Sequence, residues 1–432
     1  MFSLKLKKYD RFGSSYFIIK EHYLARMKIL QITSRLPYPP IDGGSIEIYN
    51  NIKYLALRGH DITLISLVNK RKKVSELKKY CELITIKKNT GNHFLGYFLN
   101  IFIDTPYTIS KYHSNKVKKE IRELLKKDNF DIIILNQLHT AYYGNFIKKE
   151  YNLPIVLREQ NTENIIMKRF YKNQNNIFIK FYAYLQYKKL YKYESKICEI
   201  FDRCFMITKI DEKTIKDMNS NVKTNVVPAG VDISYFYPLK FKEEEFSLVS
   251  VASMNWLPNV EAIEWFCKEV QPLIKKEIQK VKLYIVGINP PNNIKSLANN
   301  NVIVTGFVED VRKYLAKGQV FIVPLKTGSG MRIKILNALA MGKAIVSTSI
   351  GCEGIDVVDG KNIYIADNKE EFAEKVVFLL NNKDERDRIG KEGLKLVKEK
   401  YQWEKIAEDI ETEFKKIINE NNILRSRKNK LL

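Results

Sequence analysis

Residues 27–68, MKILQITSRLPYPPIDGGSIEIYNNIKYLALRGHDITLISLV, decide the fold. KILQIT is a short apolar run bounded by Pro and Gly, the pattern of a buried strand. SRLPYPPIDGGS is a loop by its Pro and Gly content. IEIYNNIKYLALRG then carries apolar residues at helical spacing, and DITLISL is a second apolar strand. Strand, glycine turn, helix, strand is one βαβ unit of a parallel sheet. The alternation continues through ELITIK, the helical SNKVKKEIRELLKK, DIIILN and LPIVLRE. From Asn161 to Phe201 the periodicity is helical over an unusual length, rich in Tyr and Lys, before strand, helix and strand return.

SYFYPLKFKEEE, after Asp232, is charged, contains proline and has no periodicity, which marks an interdomain linker. A second alternating series begins at FSLVSVAS and runs through KLYIVG, NVIVTG, VFIVPL and AIVSTS. The chain has 432 residues, too many for one hydrophobic core, so two domains are expected. The expected division is a basic arm over 1–26, a first Rossmann-like domain over 27–237, a linker over 238–245 and a second Rossmann-like domain over 246–400. A helix over 401–423 crosses back to the first domain, and a frayed basic tail occupies 424–432. Translation could begin at Met1 or at Met27. Two such domains place a cleft between the carboxyl ends of both sheets, where ligands bind in this architecture.

Lys and Arg number 73 against 49 Asp and Glu, a formal charge of +24. An anionic partner is implied: a phosphorylated substrate, an anionic membrane surface or nucleic acid. No nucleic-acid-binding motif accompanies the charge, so no nucleic-acid partner is expected. The five cysteines lack CxxC or zinc spacing, which points to a reducing cytoplasm without a structural metal. No stretch reaches the ~20 apolar residues of a membrane span. The most lipophilic segment, HFLGYFLNIFIDTPY from His93 to Tyr107, is too short. LKLKK near the start, KRKK at 70–73 and the Lys- and Tyr-rich 168–196 segment are candidates for contact with anionic lipid at the inner face of the cell membrane, although a solvated basic surface of a cytoplasmic protein explains them equally economically.

Two glycine turns face the cleft. Gly43 and Gly44 precede the first helix, where backbone and helix amides can approach an anion, although the spacing is not that of a dinucleotide fingerprint. Gly328, Ser329 and Gly330 lie between a strand and the helix beginning near Met331. That turn forms a concave anion site beside Arg332 and Lys334, two cations suited to a diphosphate.

These strings, with NVVPAGVDISYFYP and ILNALAMGKAIVST, resemble in order and spacing the GT-B retaining glycosyltransferases of family 4, also called group 1, from Met27 to about Glu413. The resemblance implies an α/β GT-B fold of two Rossmann-like domains with parallel sheets facing a central cleft. It implies transfer of a sugar, of hexosyltransferase type, from a UDP- or GDP-sugar to a hydroxyl acceptor with retention, independent of metal and of any cofactor beyond the donor. A surface glycan or lipid-linked acceptor is the expected partner. The family's two donor-side glutamates fall here on Ser329 and Asn337, and its Arg and Lys after the first strand of the second domain are absent from VASMNWLPN. Diphosphate binding is therefore assigned to Arg332 and Lys334 with the Gly328–Gly330 amides, while Met331 and Asn337 complete the donor site, Asn337 through its amide at the ribose hydroxyls as the resemblance implies. His139, in QLHTAYYG, matches the position of a family histidine near the reacting sugar and joins Arg332 and Lys334 as a catalytic candidate. Glu159 and Asn161, in LREQNTEN, are assigned to the acceptor or sugar; Asn161 could instead cap the following helix, and Glu163 lies nearby. The alternative reading is a catalytically degenerate GT-B protein that binds nucleotide sugars or serves as a partner subunit.

Overall fold

The computed structural model describes residues 26–70, 74–328 and 330–429. Strands β1 (Lys28–Thr33), β2 (Asp61–Val68), β3 (Glu82–Lys87), β4 (Ile132–Asn136), β5 (Ile155–Glu159), β6 (Arg203–Met206) and β7 (Thr224–Val226) form one sheet. Their order is β3-β2-β1-β4-β5-β6-β7, and all neighbours pair in parallel. A second parallel sheet has the order β10-β9-β8-β11-β12-β13. It comprises β8 (Ser247–Val251), β9 (Lys282–Val286), β10 (Val302–Gly306), β11 (Val320–Val323), β12 (Ala344–Ser347) and β13 (Tyr364–Ile365). The central strands are buried on both faces, which is why they read as continuous apolar runs rather than alternating ones. The strand order reverses between β1 and β4 and again between β8 and β11, and the loops leaving these strands open the cleft.

The long helical stretch is two helices, Glu163–Lys172 and Ile177–Ile197, broken at the polar residues 173–176 and packed against each other. The break falls where Asn173, Gln174, Asn175 and Asn176 follow one another. Asn side chains favour caps and turns, and Asn176 caps the second helix through Phe178 and Ile179. The linker is pinned rather than loose: Glu243 pairs with Lys343, and Glu244 with Lys282 and Lys317. The basic arm lies outside the described residues, apart from Arg26, as does most of KRKK at 70–73. Residues 424–429 continue the final helix, so the expected frayed tail is helical to Asn429.

That helix, Trp403–Asn429, leaves the second domain at Tyr401, whose carbonyl accepts the amide of Val231, and crosses to the first domain. Trp403, Ile406, Ala407, Ile410, Phe414 and Ile417 are buried at helical spacing in the core beneath β1, β2 and β4. Trp403 stacks near Tyr54, and Phe414 near Phe205. Trp403→Ala should therefore cost about 3–5 kcal/mol in denaturant unfolding, the range for removing a fully buried Trp. Among the described residues, no helix is long and apolar enough to cross a membrane.

Candidate functional site

The first wall of the cleft is built where β1, β4 and β5 end. Asp42 caps helix Gly43–Leu57 by accepting the Ser45 amide at 3.0 Å, and Ser45 Oγ accepts the Asp42 amide in return. Arg35 pairs with Asp42 at 2.7 Å. A Cβ on Gly44 would displace the Arg35 guanidinium and crowd the Gln160 amide. The space lets Gln160 Nε2 donate to the Gly44 carbonyl and, at 2.6 Å, to Glu47. Glu47 also accepts Arg158 Nε at 2.8 Å in a fully buried pair. Gln137, with φ of 70°, links this network to Ser34 and Gln160 and turns the chain after β4.

That turn presents His139 on a short 3-10 segment, edge-on to Tyr112 at 4.9 Å. Burial first, then the charges of Lys111 and Arg35, push the imidazole down to about 3, so it is neutral at physiological pH. Glu163, at the start of the next helix, faces the same two cations. Burial and the nearby Glu194 nevertheless push its carboxyl up to about 8. His139, Lys111, Arg35 and Glu163 thus share one patch, assembled from four separate segments.

Glu159 does not belong to that patch. It is 1% exposed beneath the sheet end, and burial together with the neighbouring Glu194 carboxyl raises its pKa well above the carboxylate range. Glu194 itself accepts the backbone amides of Glu163 and Asn164 at 2.9 and 3.0 Å and so caps helix Glu163–Lys172. The capping role considered for Asn161 is taken by Glu194, and Glu159, expected at the acceptor or sugar, is buried beside that cap. Alternation along LREQ carries this information: Arg158 and Gln160 project to one face of the sheet and Glu159 to the other.

The second wall is the segment between β11 and helix Ile333–Ala340. Among the described residues, the helix start at Arg332 has no side-chain cap and no acidic residue in its first turn. Arg332 is 5% exposed, donates to the Gly330 carbonyl and lies 5.3 Å from the Trp256 ring centre. Burial pushes it down to about 10. Lys334 donates to Asn259 Oδ1 at 2.9 Å; burial first, and then the Arg332 charge, push its ammonium down to about 7. Arg332, buried, and Lys334, half-buried, stand at the positive end of a helix and oppose the macrodipole and each other. An anion placed there would relieve both.

Asn337 lies one turn beyond Lys334 and Ile333 on the same helix face. Met331 packs into the second domain's core, so only its backbone can serve the turn. Gly328 lies against Trp256 and Arg332. Ser329 lies outside the described residues.

The two walls meet. Gly43, at the start of helix Gly43–Leu57, lies across from Ile333. Gly330, with φ of 79°, abuts Asn161 and the Gln160 carbonyl so closely that a Cβ would overlap Asn161 Oδ1. Arg169 pairs with Glu353 at 3.3 Å across the same gap. Two helix amino termini, one from each domain, therefore converge on a closed cleft beside Arg332 and Lys334. Trp256, Arg35 and Lys111 escape a reading of the sequence alone as site residues, whereas Pro258-Asn259 can be read from it as a donor contact. Only Asn259, beside a proline at a helix start, offers a local signal, and a plain helix start accounts for it equally well.

Comparison with known proteins agrees with the fold. Residues 245–382 match the family described as glycosyl transferases group 1. A 44.6 kDa protein from the cps region of Klebsiella pneumoniae is 26% identical over 402 residues, covering 89% of this chain and 98% of that protein. An uncharacterized glycosyltransferase of Methanocaldococcus jannaschii is 24% identical, covering 74% of this chain and 91% of its own. Among solved structures, sucrose-phosphate synthase from Thermosynechococcus elongatus superposes with a TM-score of 0.72 at 16% identity, over 91% of this chain and all of that one. Anabaena HepE, in complex with UDP and glucose, superposes with a TM-score of 0.65 at 14% identity, over 90% of this chain and 100% of that one.

Proposed function

The chain has the GT-B fold, and its residues 245–382 form a glycosyl transferases group 1 domain; from that premise we propose that it transfers a sugar from a nucleotide diphosphate sugar to a hydroxyl acceptor, with retention at the anomeric carbon. The observation that carries this reading is the pair of cations, Arg332 buried and Lys334 half-buried, at a helix start that has no side-chain cap among the described residues and faces the opposite domain. The cleft bond breaks towards the diphosphate, so negative charge grows on the leaving phosphate. Preorganised cations and amides stabilise that charge most where water is excluded. Here they supply the positive charge at the leaving group, and the reading is of a metal-independent enzyme.

The neutral His139 is placed as a hydrogen-bond partner of the transferred sugar, since an imidazole pushed down to about 3 is too weak a base to take a proton at neutral pH. Glu163, pushed up to about 8, is protonated at neutral pH and would present a hydrogen-bond donor on the acceptor side with Asn161. Asn337 would contact the nucleoside end of the donor through its amide. The solved relative that binds UDP and glucose supports a nucleotide sugar as donor. The relative from a cps region supports an acceptor in surface polysaccharide or glycolipid synthesis.

Calorimetric titration with UDP, GDP and their sugars tests the reading. One nucleotide series should bind, and Arg332→Ala should weaken it by about 1.5–3 kcal/mol, the loss expected for a charge-assisted contact. Absence of binding in the folded protein would overturn the donor site and favour a partner subunit without nucleotide chemistry.

A further inference from the structure

The apolar segment after His93 has no role in the cleft. It forms helix Phe94–Asn100 and the strap after it, and it lies against helix Ile177–Ile197. Tyr97 meets Tyr182 edge-on at 5.6 Å, and Gln186 Nε2 donates to Asn100 Oδ1 at 2.9 Å. Lys189 ties the strap down by donating to the carbonyls of Asn100, Ile101 and Ile103. The anchoring groups therefore face inward and the large apolar side chains face out. Phe98 is 56% exposed, Phe102 79%, Phe178 83% and Phe181 63%. Leu95, Leu99, Ile103 and Ile177 are exposed around them. Single exposed apolar residues need no explanation, but a contiguous group of this size marks an interaction surface.

The charge around the patch selects the occupant. Residues 161–200 hold eight Lys and Arg against three acids. Two of those acids, Glu163 and Glu194, are turned inward to the cap and the cleft. Lys180, Lys188, Lys192 and Lys196 are exposed along the same helix. Lys189, Lys192 and Lys196 also line a cavity of about 340 Å³ beside the strap, with Asp104 and Tyr193. An aromatic and aliphatic ridge flanked by lysines is the pattern of a surface that rests in a bilayer interface, its rings entering the headgroup and acyl boundary and its ammonium groups meeting lipid phosphates. A second copy of the chain would set one lysine collar against another, in a protein of formal charge +24.

We propose that helix Phe94–Asn100, its strap and the exposed face of helix Ile177–Ile197 form a docking surface for an anionic phospholipid bilayer. This surface is separate from the cleft, and the proposal stands independently of sugar transfer.

Flotation with phosphatidylcholine vesicles, with and without phosphatidylglycerol, tests it on the full chain. The protein should float with the anionic vesicles, and added salt should weaken the association without abolishing it. Combining Phe98→Ser, Phe102→Ser, Phe178→Ser and Phe181→Ser should lower partitioning at least about tenfold at low and high salt. Combining Lys180→Gln, Lys188→Gln and Lys192→Gln should leave binding that no longer distinguishes the two vesicle types. Both variants should keep the wild-type thermal unfolding curve, because the altered side chains are exposed. Wild-type protein that stays soluble with both vesicle types would overturn the proposal. So would a lipid-free dimer that the four serine substitutions convert to monomer.

Discussion

Lys334→Met should make the ligand-free protein more stable and its donor binding weaker at the same time. Lys334 has an ordinary pKa of 10.5 when unfolded and is pushed down to about 7 in the fold, mainly by burial and then by Arg332. Between these values the unfolded chain binds the proton and the folded chain does not, so this group's contribution to stability rises with pH across that window. At and below about pH 7 the folded protein carries the whole cost of a desolvated ammonium. Methionine has similar length and no charge. The gain in thermal unfolding should therefore be largest near neutral pH, on the order of 1 kcal/mol or more, and should fade towards pH 10.

Binding should move the other way. A diphosphate stabilises the ammonium form, so wild-type protein should take up a proton on binding, and its affinity should fall as pH rises above about 7. Calorimetry in buffers of different ionisation enthalpy reads that uptake directly. Lys334→Met should lose the proton linkage and about 10- to 100-fold in affinity. A variant that is less stable than wild type at pH 7, or that keeps the proton uptake, would remove Lys334 from the anion site.

The elements that could be read from the sequence are those whose physics is local. Apolar runs such as KILQIT, DIIILN and VFIVPL are strands buried on both faces wherever they occur, and the glycine turns after them mark the cleft side of the sheet. The periodicity of WEKIAEDIETEFKKII shows a helix with one apolar face, and the family resemblance supplies its crossing back to the first domain. The remainder depends on partners distant in the chain. Strand alternation puts Glu159 on the face opposite Arg158 and Gln160, but that Glu194, which caps a helix some thirty residues earlier, lies beside it there is visible only in the fold. Arg35, Lys111, His139 and Glu163 lie on four different segments and become one patch only after the sheet has folded. Trp256, in the loop after the first strand of the second domain, has no visible role until Gly328 and Arg332 are seen against it. The 161–201 stretch was legible as helical, but its division was not, because four polar residues interrupt a periodicity that continues on either side.

Gly330→Ala should nearly abolish turnover while leaving most nucleotide binding in place. Gly330 is one of the points where the second domain touches the first: its backbone has φ of 79°, and an added Cβ would overlap Asn161 Oδ1 and press on the Gln160 carbonyl. An alanine there is strained by its own backbone and also holds the walls apart. Transfer requires both domains to present their groups to one sugar, and a displacement of about 1 Å can cost roughly 100-fold in rate. Arg332 and Lys334 belong to the second domain alone, so the nucleotide should still bind, weakened less than about tenfold by closure contacts that no longer form. Scattering in the presence of the bound nucleotide should show a larger radius of gyration than wild type, a readout that does not depend on the acceptor. Asn161→Gly in the same chain should restore part of the compaction and part of the rate, because it removes the atom that the new Cβ meets. Equal loss of nucleotide binding and turnover, with no rescue by Asn161→Gly, would place the effect of Gly330 in the anion turn itself and not in the meeting of the two domains.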